Sequence, residues 1–147
     1  VVASPFDGGS FADPRTIARR TGMKAQLGRH SDTIYALLRI VVGFFFACHG
    51  AQKVLGLFGG PPAEAPAFVV WTAGGIELVA GVLIMIGLFT SWAAFVSSGT
   101  MAFAYFLAHQ SKGLLPIQNH GELAAVYAFV FLYIAARGSG PLAVQPD

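Results

Sequence analysis

Between Leu78 and Ala108 the chain carries no charged residue. That run is too long for one crossing of a bilayer, whose hydrocarbon core of about 30 Å takes about 20 apolar residues at about 1.5 Å each. Gly87, Thr90 and Ser91 interrupt it near the middle, which predicts two helices joined by a tight turn. The same alternation of apolar runs and breakers extends along the chain. A first span is expected from about Thr33 to Leu57, with Ser31 or Asp32 placed to cap it and Gly59, Gly60, Pro61 and Pro62 ending it. Pro66 precedes a second span, about Phe68 to Phe89. The third runs from about Trp92 to Gln110, and the fourth from about Gly121 to Ala136, where Arg137 and Gly138 stop it. The predicted fold is all-α, an integral membrane antiparallel four-helix bundle over residues 33–147, preceded by a polar N-terminal arm over residues 1–32.

Composition agrees, with 55% hydrophobic and only 11% charged residues and a mean hydropathy of +0.65, far from an ordinary soluble domain. The 147 residues accommodate about four short spans and one arm, without a separate soluble catalytic domain. The single cysteine, Cys48, falls inside a predicted helix, so neither an internal disulfide nor a cysteine-based zinc framework is expected. Arg15, Arg19, Arg20, Lys24 and Arg29 cluster before the first span and are expected to dock on anionic lipid or on a partner. The arm has no apolar stretch resembling a signal peptide, so the first span is its own insertion signal. Asp13 followed by Pro14 is a plausible helix start, with Ile17, Met23 and Leu27 able to face lipid below the basic residues. With Arg137 also basic, the positive-inside rule puts both termini in the cytoplasm.

Small residues indicate how the helices approach one another. Ala94, Ser98 and Ala102 repeat every fourth position, Ala124, Ala128 and Ala136 lie along one stripe, and the second span holds Gly74, Gly75 and Gly81. Such stripes permit close backbone packing in lipid. Phe44, Phe45 and Phe46 are read as lipid-facing or packing surface. Trp71, Trp92 and Tyr133 stand near the predicted interfaces as aromatic anchors.

Helix direction sorts the polar residues by depth. His49 and Lys53 share a face near the outer end of the first helix. Glu77 reaches a similar depth on the second, the third ends with His109, and the fourth begins with His120 and Glu122. An ionised carboxylate alone in hydrocarbon costs several kcal/mol, so Glu77 is expected to pair with His49 or Lys53. One reading of the cluster His49, Lys53, Glu77, His109, His120 and Glu122 is a polar pin fixing helix pairing. The other is a site for a quinone head group, proton transfer or a small oxyanion. No metal is expected, since no HxxxH or ExxH spacing occurs. Arg39, about two turns into the first helix, is read as a head-group anchor that snorkels, or as a packing partner.

Three segments carry a family resemblance. They are LRIVVGFFFACHGAQKVLG with Arg39, Gly43, His49, Gly50 and Lys53, then GGIELVAGVLIMIGLFT with Gly75, Glu77, Gly81 and Gly87, then NHGELAAVYAFVFLYIAARGSG with Asn119, Gly121, Glu122, Gly138 and Gly140. In this order they resemble the DoxX-like family of small four-helix membrane proteins. The resemblance implies a multi-pass protein of the bacterial or archaeal cytoplasmic membrane. Some relatives serve as the membrane subunit of thiosulfate:quinone oxidoreductase, and others associate with redox-protective membrane assemblies.

The expected function is an integral membrane subunit of a redox-linked, quinone-linked complex that anchors or stabilises partner proteins. It is not expected to be catalytic alone; as part of an enzyme it would serve a quinone-linked oxidoreductase. The alternative is a purely structural accessory subunit of a respiratory or photosynthetic assembly. A small-solute carrier ranks last, because four short helices leave little room for alternating access. The expected partners are membrane lipids and other complex subunits, not nucleic acid. No haem-attachment or dinucleotide motif is present, so no covalently bound cofactor is expected and quinone is the candidate ligand.

Overall fold

The computed structural model describes residues 23–60 and 66–146, and among these the chain is helical with no strand. It divides into Val1–Ser31 and Asp32–Asp147. In the first unit the described part is a short helix, α1 (Met23–Gly28), followed by a backbone bond from His30 N to Leu27 O of 2.9 Å. Met23, Lys24, Leu27 and Arg29 are exposed. Arg15, Arg19 and Arg20, and the helix start expected at Asp13–Pro14, lie outside the described residues.

The second unit is built on α2 (Ser31–Leu55), α3 (Ala67–Ile86), α4 (Thr90–Ala104), α5 (Pro116–Asn119) and α6 (Glu122–Arg137). After α4 the helix continues through a π turn over Tyr105–His109 and a 3-10 turn over Gln110–Lys112. Among the described residues three helices are long and apolar enough to cross a membrane, Ser31–Leu55, Ala67–Ile86 and Thr90–Lys112. The 16 residues of α6 extend about 24 Å at about 1.5 Å per residue, short of the roughly 30 Å of a hydrocarbon core.

Many large apolar side chains lie on the outside of the helices. Ile34, Leu37, Val41, Phe44, Phe45, Trp71, Trp92, Phe103 and Phe129 are exposed, while Arg39, Glu77, Thr90, Ser97 and Asn119 are buried. Such an apolar exterior suits lipid as solvent, around an interior in which those polar groups stand among Phe46, Ile84, Phe131 and Ile134. The phenylalanine triplet divides accordingly, since Phe46 is buried against Tyr127 and Phe131.

Glycine sets the approach of α2 to α3. A Cβ on Gly43 would meet Met85 N at 2.6 Å and Gly81 O at 2.8 Å, and one on Gly50 would collide with the Leu78 backbone and Gly74 O. The pairing of 43 with 81–85 and 50 with 74–78 runs the two helices antiparallel. Gly75, expected in this seam, has nothing within 4 Å of its Cβ position and belongs to an open face. On the other side, Ser98 Oγ donates to Ala128 O at 2.8 Å, joining the small-residue stripes of α4 and α6.

The turn between α3 and α4 lies where the glycine predicts it. Gly87 adopts φ 74°, and Leu88 N to Leu83 O (2.9 Å) together with Gly87 N to Ile84 O (3.2 Å) form a Schellman ending. The remaining carbonyls of this helix end are met from elsewhere in the chain. Arg39 Nη1 donates to Ile84 O (2.7 Å) and Met85 O (3.1 Å), and Val144 N donates to Ile86 O (3.0 Å). Arg39 Nη2 donates to Pro141 O (3.2 Å) and Leu142 O (2.7 Å), drawing the segment after α6 beneath the turn. Arg39 is 0% exposed, so it is no head-group anchor. The reason is local: the end of α3 leaves carbonyls without an intrahelical donor, and a guanidinium fork can serve several carbonyls at once. Beside it, Tyr35 donates its hydroxyl hydrogen bond to Gly138 O, Arg137 lies 4.2 Å over the Tyr35 ring, and Arg137 Nη2 meets Asp32 Oδ1 at 2.5 Å.

Candidate functional site

Ten residues along α2 from Arg39, about 15 Å at the helical rise, His49 and Lys53 open onto a cavity of about 230 Å³. The i, i+4 spacing that puts them on one face of α2 turns both toward α3 and α6. Glu77 from α3, Met101 and Ala104 from α4, His109 from the π turn, and His120, Leu123 and Tyr127 around α6 complete the wall.

Lys53 Nζ forms an ion pair with Glu77 Oε1. Between the two expected partners, lysine rather than histidine takes the carboxylate. The Glu77 side chain is 3% exposed, against 23% for Lys53, so the ammonium still reaches the edge of the fold while the carboxylate is enclosed. The second oxygen, Glu77 Oε2, is buried and has no hydrogen-bond partner among the described residues. His49 instead presents its ring edge-on to Tyr127, with centroids 6.5 Å apart. Tyr127 stacks on Phe131 at 5.4 Å and 12°.

The far wall is held by Asn119. Its Nδ2 donates to Gly113 O (2.8 Å) and to the Tyr105 hydroxyl (3.3 Å), and its Oδ1 accepts from Gly121 N (2.8 Å). Asn119 O lies 3.1 Å from His109 Nδ1, which orients that imidazole from the loop side. The π turn widens the helix by one residue where His109 leaves it, a deviation found mostly at sites with a function. His120 sits at φ 58° on the exposed rim.

Five of the six residues grouped from sequence therefore line one cavity. Glu122 does not: it is exposed in the first turn of α6, where a carboxylate favours the positive end of the helix dipole. Tyr127 was absent from the expected set. Its position three residues after Ala124 and one before Ala128 puts it on the same stripe as those alanines, and that spacing was the available signal. Among the described residues no three His, Cys, Asp or Glu side chains gather as a metal site.

Comparison with known proteins supplies the lineage. The sequence pattern of the DoxX family matches residues 34–110. An uncharacterized protein of Haemophilus influenzae is 42% identical over 126 residues, covering 81% of this chain and 93% of that one. A Bacillus subtilis protein named "Putative oxidoreductase CatD" is 28% identical over 114 residues, covering 75% of this chain and 83% of its own length. No solved structure matches the chain significantly. With more than half its length under the family pattern and a relative this similar, the chain is a member of the DoxX family of membrane proteins.

Proposed function

We propose that the protein is an integral membrane subunit of a redox-linked complex, in which the cavity beside Glu77 receives a quinone-type head group or its proton. In this reading α2, α3, α4 and α6 form an antiparallel four-helix bundle that crosses the cytoplasmic membrane, with both termini on the cytoplasmic side. The observation that carries it is a buried carboxylate bound through one oxygen to Lys53, with the other oxygen lacking a hydrogen-bond partner among the described residues, in the wall of a cavity that also holds three histidines and a tyrosine. Ionisable groups at membrane depth mark proton or ligand pathways by default. Imidazole can hydrogen-bond a ring oxygen or relay a proton near neutral pH. The name of the Bacillus subtilis relative supports a redox setting.

The chain's own contribution is positioning and proton handling. In this reading the electron donor belongs to a partner subunit. His49→Ala and Glu77→Gln are expected to lower quinone-linked electron transfer by the assembled complex at least about tenfold, with subunit composition unchanged. Measurement in native membranes, with the complex recovered by affinity purification, reads both quantities. Loss of assembly in these variants would favour the structural accessory reading instead. Quinone reduction by the purified subunit alone would overturn the subunit assignment.

A further inference from the structure

The Glu77 carboxylate constrains what its cavity can hold. One of its oxygens takes the Lys53 ammonium, and a carboxylate in an ion pair accepts hydrogen bonds and donates none. Its Oε2 is buried with no hydrogen-bond partner among the described residues, and a buried charged acceptor left unmatched is costly. A ligand carbonyl placed against it would set acceptor against acceptor. A ligand hydroxyl would supply the missing donor. The cavity also has a size and a surface. A void of about 150 Å³ holds a benzene ring, and this one is about 230 Å³, room for one ring with hydroxyls and small substituents. Phe46 and Tyr127 provide an aromatic wall, their rings 5.8 Å apart.

We propose that the cavity binds the reduced, hydroxyl-bearing form of a single aromatic ring, a hydroquinone or related diphenol, in preference to its oxidised carbonyl form, with Glu77 accepting a hydrogen bond from one ring hydroxyl. This rests on the ring-binding reading of the cavity above and adds the redox state that it selects. A hydrogen bond to a charged group is strong enough to make that selection at least about tenfold in dissociation constant. The shared chemistry has two sources, a membrane hydroquinone with an apolar tail or a free diphenol from the aqueous side.

The test uses the full chain in lipid nanodiscs, titrated calorimetrically under anaerobic conditions against empty nanodiscs. The probes are a decyl-substituted benzohydroquinone, its quinone, and the hydroquinone without a tail. The reduced decyl probe is expected to bind at least tenfold more tightly than the oxidised one. In Glu77→Gln, whose amide offers both a donor and an acceptor, the preference is expected to fall to within about twofold. Should that variant fail to fold, the ratio measured on the unsubstituted protein still decides. Equal affinity for the tail-less hydroquinone would identify a free diphenol as the ligand, and dependence on the tail would identify a membrane hydroquinone. Binding of the quinone as tightly as the hydroquinone overturns the inference and leaves the quinone-linked function standing. Binding of neither form overturns both.

Discussion

Among the described residues two charged side chains are buried, Glu77 and Arg39, and they find their partners differently. Glu77 meets one cation and keeps one oxygen without a hydrogen-bond partner among the described residues. Arg39 is spread over four backbone carbonyls from two parts of the chain. The guanidinium therefore ties the end of α3 to the segment after α6, whereas Glu77 stands in the wall of the cavity. Replacing Arg39 by alanine would take its donors from the carbonyls of Ile84, Met85, Pro141 and Leu142, and a buried acceptor left without a donor costs about 1–3 kcal/mol. Arg39→Ala is therefore expected to lower the thermal unfolding temperature of the purified protein in detergent. Arg39→Lys should recover only part of that loss, because an ammonium lacks the planar fork. Unfolding of Arg39→Ala at the temperature of the unsubstituted protein would remove Arg39 from this role.

At the scale of elements, the closeness of α2 and α3 is a matter of missing Cβ atoms. Gly43, Gly50 and Gly81 each face opposing backbone, while Gly75 on the same helix faces open space. The two kinds of glycine should respond oppositely to the same substitution. Gly50→Ala forces a methyl group into the Leu78 backbone and is expected to destabilise by about 1–3 kcal/mol, the usual range for overpacking. Gly75→Ala adds helix propensity without a clash and is expected to be neutral or stabilising by up to about 1 kcal/mol. Chemical unfolding of the two variants in the same detergent compares them directly. Without close packing at Gly50, Lys53 one turn later would not meet Glu77, so the seam also sets the geometry of the cavity.

For the whole molecule, the four-span proposal requires that α6 cross the membrane. Among the described residues three helices have the length and apolarity to do so, and α6 is shorter. In the four-span reading Phe58 and Leu114, both exposed, lie on one side of the membrane and Gln145, also exposed, on the other. Single cysteines at these three positions, in a Cys48→Ser background, are expected to label from opposite faces of intact membrane vesicles in that grouping. Labelling of Leu114→Cys and Gln145→Cys from the same face would show that α6 lies within one leaflet and would retire the four-span bundle.

Much of this architecture was legible in one dimension. Hydropathy and helical rise are local properties, so the apolar runs marked the helices α2, α3 and α4 to within a few residues, and Gly87 marked the turn between the latter two. Depth along a helix follows from residue count, so the outer polar residues could be grouped before any contact was known. What depth does not contain is rotation about each helix axis and the path of the chain after the last helix. Only tertiary packing decided that Lys53 rather than His49 takes Glu77, that Tyr127 enters the cavity wall while Glu122 stays on the surface, and that α4 loosens into a π turn at His109. The clearest case is Arg39. Its place along the first helix allowed a snorkelling anchor or a packing partner, and the carbonyls that make it the latter come from residues 45–103 positions away in sequence. Helical periodicity carries no information across such separations, because they close only when separate helices pack.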